Sequence, residues 1–401
     1  MSNPCACLCP EEELKDRANQ YKVDGQEGAD SRAPELPNGM GGMEGMGGME
    51  GMMAAGAGGA GGMGMLGGLM GMLQGGQAPA PPDPNNARDF SERAAQALPA
   101  TVHMFSGCRD EQTSADVHNV ASFGLPPDSG PGGAGGACTN AMMKALLDNP
   151  NPTWIELLDK MRQILGEKNF SQVPQLSSSK EIQLNDTFNL TPSGGPTKAL
   201  FIGINYVGQQ GELNGCHNDV IQMKKFVTDR GFDPNNMLVL MDDGQHKNPG
   251  RDNILNGIRW LVQDAKAGDN LFMHYSGHGG SMPDDNGDEE DGMDETMVPV
   301  DYQDLGQIRD DVIFEELVAK LPEGVKLTVV MDCCHSGSIL DLPFSFQANS
   351  TNHSNGYPSV LPANQNFNWQ KAFKVGMQLL QMYQRGASSA QIMQVGMQLF
   401  K

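Results

Sequence analysis

Between residues 197 and 332 the chain alternates short apolar runs with longer amphipathic ones, and this alternation constrains the fold more than any other feature. ALFIGINYV, MLVLMDD, NLFMHYSGHGG and KLTVVMD read as strands. The intervening HNDVIQMKKFVTDRGF, DNILNGIRWLVQDAKAG and DVIFEELVAKL read as helices. The pattern predicts an α/β fold, a mostly parallel sheet with helices on both faces. In such sheets function gathers outside the carboxyl ends of the strands. Two of these ends carry reactive side chains: His278 in HYSGHGG, and Cys333 with Cys334 in DCCHSGS.

Side chains of a strand alternate between its faces. If the extended conformation persists past the strand ends, Ser276 and His278 point to one side, as do Asp332 and Cys334, and Cys333 faces away. Cys334 is then the candidate nucleophile, His278 its general base and Cys333 a small buried apolar residue. A thiol of ordinary pKa, about 8.5, is mostly protonated at neutral pH and needs a nearby imidazole or helix N-terminus to become a thiolate. His335, adjacent to Cys334, diverges from it. A cysteine peptidase is the first reading of the residues alone.

Charge narrows the partners. With 27 Lys and Arg against 49 Asp and Glu, the net charge of −22 argues against nucleic acid and anionic lipid. The eight cysteines form no regular disulfide framework, and no charged-then-apolar N-terminal signal appears, so a reducing, cytoplasmic setting is expected. No apolar run is long enough to span a bilayer, because glycine breaks the stretch from Met63 to Leu73 throughout.

Residues 1–98 read as a disordered leader, since 18 glycines and 10 methionines among positions 39–76 cannot bury enough apolar surface to offset chain entropy. Its PCACLC opening would carry acyl chains, bind a soft metal or simply expose thiols. Residues 99–191 form a first folded segment, with TVHMFSG a strand, ACTNAMMKALLDN a helix, TWIELLDKMRQILGEK an amphipathic helix and QLSSSKEIQL a final extended piece. A Pro-Ser-Gly linker at 192–196 leads into the alternating region at 197–346. Residues 347–401 are polar and then amphipathic, VGMQLLQMYQ and VGMQLF reading as helices for packing or oligomerisation; the oligomeric state stays open.

HYSGHGG followed by DCCHSGS resembles the paired His and Cys boxes of the metacaspases, cysteine peptidases of the caspase fold. GCHNDV, DGMDETMVPVD and DDVIFEEL also follow the family pattern. SGCRDEQTSADV, with WIELLDKMRQIL and SQVPQLSSS, resembles the family's small p10 region, here N-terminal to the p20-like catalytic region. That order resembles the type III metacaspases of algae. The resemblance implies a caspase-like fold whose sheet the p10-like segment completes, a His278–Cys334 dyad, and a pocket for a basic side chain made by Cys216, Asp219, Ser276 and Asp332. Two carboxylates in a partly dry pocket would favour Arg or Lys at the scissile position and repel Asp. Asp219 reads equally as a first-turn helix residue favoured by the dipole.

The resemblance also implies calcium, held by Asp294, Asp310, Asp311 and Asp341. Asp284–Glu295 carries eight acidic residues in twelve, without the glycine an EF-hand loop needs at Glu289. The plain alternative is a solvated acidic loop with Asp310 or Asp311 capping a helix. The function expected is thus calcium-dependent endopeptidase cleavage of proteins after Arg or Lys, with backbone amides near His278 and Gly279 holding the oxyanion; whether linkers such as Lys180 or Lys198 are cut in self-processing stays open. Two other classes compete: a non-catalytic calcium-responsive scaffold, and a thiol redox protein using Cys108 and Cys138. A scaffold needs neither His278 nor Cys334, and adjacent cysteines are not the C-x-x-C arrangement of a redox motif.

Overall fold

The computed structural model describes residues 87–372 apart from 109–113, 118, 127–129, 132, 285–291, 347–357, 366 and 370. Helix α1 (Ala87–Ala97) is followed by β1 (Thr101–Ser106), short strands β2 (Asp116–Val117) and β3 (Gly135–Gly136), helices α2 (Ala137–Asp148) and α3 (Trp154–Glu167), and β4 (Gln175–Ser178). The alternating region supplies β5 (Thr197–Gly203), α4 (Cys216–Thr228), β6 (Met237–Met241), α5 (Arg251–Val262) and β7 (Asn270–Ser276). It continues with β8 (Gly279–Pro283), β9 (Met293–Met297), β10 (Ile308–Arg309), α6 (Asp310–Ile313), β11 (Lys326–Asp332) and β12 (Phe344–Phe346).

The main sheet has the order β12-β4-β1-β11-β7-β5-β6. The five strands from β1 to β6 in that order run parallel, and β4 and β12 add antiparallel at one edge. The α/β expectation therefore holds. Its physical basis is visible in β7, every residue of which is buried, as helices on both faces of a parallel sheet require. Strand β1, from the first folded segment, lies beside β11, pairing Ser106 with Met331. The two segments share one sheet and one core.

Local sequence explains the element ends. Helix α3 opens on a capping box: Thr153 Oγ1 accepts from the Glu156 amide, and Glu156 accepts from the Thr153 amide. The predicted helix DVIFEELVAKL is shorter than its pattern suggests. It is α-helical only through Ile313 and then widens into a π-helical turn, Phe314–Val318, where the Ala319 amide reaches back to the Phe314 carbonyl.

The predicted leader also ends earlier than residue 98. Phe90, Ala94 and Ala97 recur at helical spacing, and α1 buries them. Phe90 packs edge-on against Phe344 and Trp369 at 5.4 and 5.1 Å. The remainder of that leader, with PCACLC, and the amphipathic stretches after residue 372 lie outside the described residues. Among the described residues no helix is long and apolar enough to cross a membrane.

Candidate active site

The parallel register sets the site. Asp332 at the end of β11 pairs with Ser276 at the end of β7, which in turn pairs with Gly203 at the end of β5. Just beyond these ends a cleft is lined by Ser276, His278, Asp332, Cys334 and Cys216, with Ser114 and Asp116 from the first folded segment. Cys333 is buried and not part of that lining. At the floor, the Gly279 backbone lies against the peptide of Cys334; a Cβ there would meet the Cys334 carbonyl oxygen at 1.8 Å. Only glycine allows the loop bearing the histidine to sit this close to the loop bearing the cysteine.

His278 is fixed from three directions. Its Nε2 is 2.7 Å from the Gly211 carbonyl oxygen, which can only accept, so Nε2 carries the proton and Nδ1 is the basic nitrogen. Its amide donates to Tyr206 Oη at 2.9 Å, and its carbonyl accepts from Tyr275 Oη at 2.6 Å. The Tyr206 ring lies 4.6 Å from the imidazole, and Tyr206 itself is fully buried with φ of 52°, a left-handed conformation rare for a bulky residue. The Cys334 thiol donates weakly to the Ser114 carbonyl at 3.9 Å. Because the His278 amide is already donated to Tyr206, the oxyanion expectation narrows to Gly279.

Beside the dyad residues sit two buried carboxylates. Asp219, in the first turn of α4, accepts from Ser276 Oγ at 2.8 Å and from the Gly136 amide at 2.8 and 2.9 Å. Asp332 accepts from Ser114 Oγ and from the Thr139 amide, both at 2.7 Å. Gly136 lies between them, and a Cβ there would meet Asp332 at 2.2 Å and Asp219 at 2.9 Å. Burial raises the pKa of both; for Asp219 the charge of Asp332 adds to the effect. Burial likewise pushes the Cys216 thiol well up, keeping it protonated.

The sequence pattern did not reveal that Ser114, Asp116 and Gly136 line this pocket and that Thr139 holds Asp332 from behind. Asp116 places a third carboxylate in the cleft, its Oδ2 accepting from the Asn214 amide at 2.9 Å. Nothing in local periodicity marks these residues. They reach the site only because β1 docks on β11, a contact more than two hundred residues apart in sequence.

Of the four aspartates proposed for calcium, Asp310, Asp311 and Asp341 surround Lys371, and Asp294 lies in β9. Asp294 in β9 forms an ion pair with Arg309, and Asp310 and Asp311 open α6. Asp311 and Asp341 share the ammonium of Lys371, 2.6 Å from Asp311. Among the described residues no three acidic, His or Cys side chains already form a metal cage. The donor set is nonetheless four carboxylates, two of them, Asp294 and Asp310, buried, with a cationic side chain seated on the other two; this fits a hard divalent cation. The acidic loop at 285–291 lies outside the described residues. Lys180 and Lys198 are not open linker sites: the first bonds the Leu98 carbonyl at 2.7 Å, and the second lies within β5. Cys108 and Cys138 are both buried and are not joined in a disulfide, the Cys108 thiol donating to the Cys333 carbonyl at 3.4 Å.

Two family models match the chain: "Metacaspase, peptidase C14 domain" over residues 197–343, and "Caspase domain" over residues 14–184. A protein of Phaeodactylum tricornutum named Metacaspase III c is 46% identical over 292 residues, covering 70% of this chain and 84% of its own length. Metacaspase-1 of Mycosarcoma maydis is 47% identical over 164 residues, 40% of this chain and 41% of that protein. Metacaspase-1A of Aspergillus fumigatus is 48% identical over 163 residues, 40% of each chain. This chain thus spans most of the diatom relative and about two fifths of the fungal ones.

Proposed function

Since this chain belongs to the metacaspase family and is a caspase-like cysteine peptidase acting on proteins, we propose that it cleaves after Arg or Lys, uses Cys334 and His278 as its dyad, and depends on calcium. The observation that carries this reading is a cleft lined by Cys334, His278 and Asp332, with the fully buried Asp219 behind it on Ser276 and Gly136. A guanidinium or ammonium entering it would meet Asp332 and feel the field of Asp219 behind, and would draw both carboxyls, whose pKa values burial has raised, toward their charged forms. An aspartate side chain would meet like charge. Asp116 at the same cleft adds to that preference.

In the reaction, Cys334 Sγ attacks the carbonyl carbon after the basic residue while His278 Nδ1 takes the thiol proton. The Gly279 amide stabilises the oxyanion. His278 then gives the proton to the leaving amine, and water, deprotonated by the same nitrogen, releases the acyl group from sulfur. The Nε2 bond to the Gly211 carbonyl supports this role, since it holds the imidazole in one tautomer and stabilises its charged form. Asp294, Asp310, Asp311 and Asp341 would hold the calcium, which would supply the positive charge that offsets their mutual repulsion.

The chain order follows the type III pattern in this reading, with the p10-like residues 99–191 preceding the p20-like residues 197–346. The docking of β1 on β11 supports it. A reducing, cytoplasmic setting belongs to this reading. The test is hydrolysis of paired fluorogenic peptides ending in Arg or Asp, each with calcium or chelator, with Cys334→Ala as control. Calcium-dependent cleavage after Arg that disappears in the control is expected. Cleavage after Asp would refute the pocket assignment, and equal rates in chelator would refute the calcium requirement.

A further inference from the structure

Lys371 has one of the least ordinary environments in the molecule. Its side chain is 6% exposed, and its ammonium lies 2.6 Å from Asp311, pairs with Asp341 and sits 5.5 Å above the Phe314 ring. Asp310, fully buried in the same turn as Asp311, adds its field. Burying an ammonium is costly unless opposing charges surround it, and here they are three of the four carboxylates assigned above to calcium.

We propose that Lys371 is a tethered counter-cation, holding the place of a divalent cation between Asp311 and Asp341, and that cation binding expels it and loosens Phe367 and Trp369 from their packing. An ammonium and a divalent ion cannot share two carboxylates at contact distance without strong repulsion. The two occupants are therefore mutually exclusive, and each weakens the other's hold by the same factor. This rests on the calcium part of the proposed function.

The surrounding geometry gives the exchange two consequences. Asp341 follows Cys334 by seven residues and has φ of 41°, so Lys371 pins the turn that leaves the nucleophile in a left-handed conformation. That turn is held at a second point where Ser338 Oγ donates to Glu295 at 2.7 Å, next to Asp294. On the other side, Trp369 carries the segment onto α1 through Phe90, 5.1 Å away, and packs on Phe367 at 4.8 Å. The upstream stretch is tied to the rest of the fold, the Leu361 amide donating to the Ile182 carbonyl and the Ser345 amide to the Pro362 carbonyl. Replacing the ammonium by a calcium ion thus removes the charge that holds the Trp369 side of Phe90 covered, while Phe344 stays on its other side.

The experiment uses the full chain carrying Cys334→Ala to prevent self-cleavage, with and without Lys371→Met. Calcium binding is read by titration calorimetry, and the segment by Trp369 emission, assigned with a Trp369→Phe control. The methionine chain is expected to bind calcium about tenfold tighter or more. In the parent, calcium should shift Trp369 emission to the red; in the methionine chain the emission should be red-shifted already in chelator. Equal affinities, or a parent that binds calcium with Trp369 unmoved, would overturn the competition while leaving the calcium reading intact. The second of these needs no lysine variant, so poor folding of Lys371→Met does not blunt the test. Binding by neither chain would overturn the calcium reading and the competition with it.

Discussion

At the scale of single residues, the pocket works against stability. Asp332 and Asp219 have pKa values raised by burial, which means that the folded state binds their protons more tightly than the unfolded chain does. The stability they give is complete below the ordinary carboxylate range and is lost as pH rises through the raised values. At neutral pH the pair is therefore a burden on folding, a cost that the proposed preference for a basic side chain would explain. Asp332→Asn preserves both hydrogen bonds, since its carbonyl can accept from the Thr139 amide and its amide can donate to Ser114 Oγ. It should melt no lower than the parent at pH 7 yet lose cleavage after Arg by about a hundredfold in kcat/KM. The acid limb of the parent's activity on Arg peptides should lie above the ordinary carboxylate range, because binding requires the charged form. A clear fall in melting temperature with activity retained would contradict this account. That Ser276 shares a side with His278, and Asp332 with Cys334, while Cys333 faces away, was legible in the sequence from strand period alone. Gly136 and Thr139, which bond or border these carboxylates, were not, because nothing local distinguishes them from a loop glycine and a helix residue.

Elements matter next, because the histidine is held by the ends of several of them at once. Tyr206 follows β5, Tyr275 belongs to β7, and both hydroxyls reach the Val298 carbonyl just past β9 as well as the peptide groups of His278. This clamp fixes the imidazole plane through its backbone. Tyr206→Phe keeps the ring against His278 and removes only the oxygen, leaving a buried amide and a buried carbonyl each short of one partner, at about 1–3 kcal/mol. The chain should melt a few degrees lower, and kcat should fall about tenfold while KM changes less than twofold, the signature of a positioning residue. An unchanged kcat with the same loss of stability would reduce Tyr206 to a core residue. The strands that supply this clamp were legible as apolar runs because they are buried on both faces. The strands β8 to β10 were not, being short and rich in glycine and polar residues, with an acidic insertion between β8 and β9.

For the whole molecule, the decisive contact joins the two sequence segments. Strand β11 leads directly to Cys334, the proposed nucleophile, and is paired on one side with β7, from the alternating region, and on the other with β1, from the first segment. Without β1 and β4 it would present a row of unpaired backbone groups and an apolar face that α2 and α3 now cover. The pocket would also lose Ser114, Asp116, Gly136 and Thr139, so neither carboxylate would keep its full set of donors. A chain starting at residue 197 should therefore be insoluble or, if soluble, should not cleave Arg peptides. Adding residues 87–196 as a separate chain should restore activity, because the linker at 192–196 connects the halves without supplying any part of the cleft. Parent-like kcat/KM from the 197–401 chain alone would show that the pocket is complete within the alternating region. It would also make the docking of β1 a matter of stability only. Restoration by the added piece, in contrast, would mean that the order of the two segments along the chain is free while their pairing is not, which is what a sheet closed between distant strands demands.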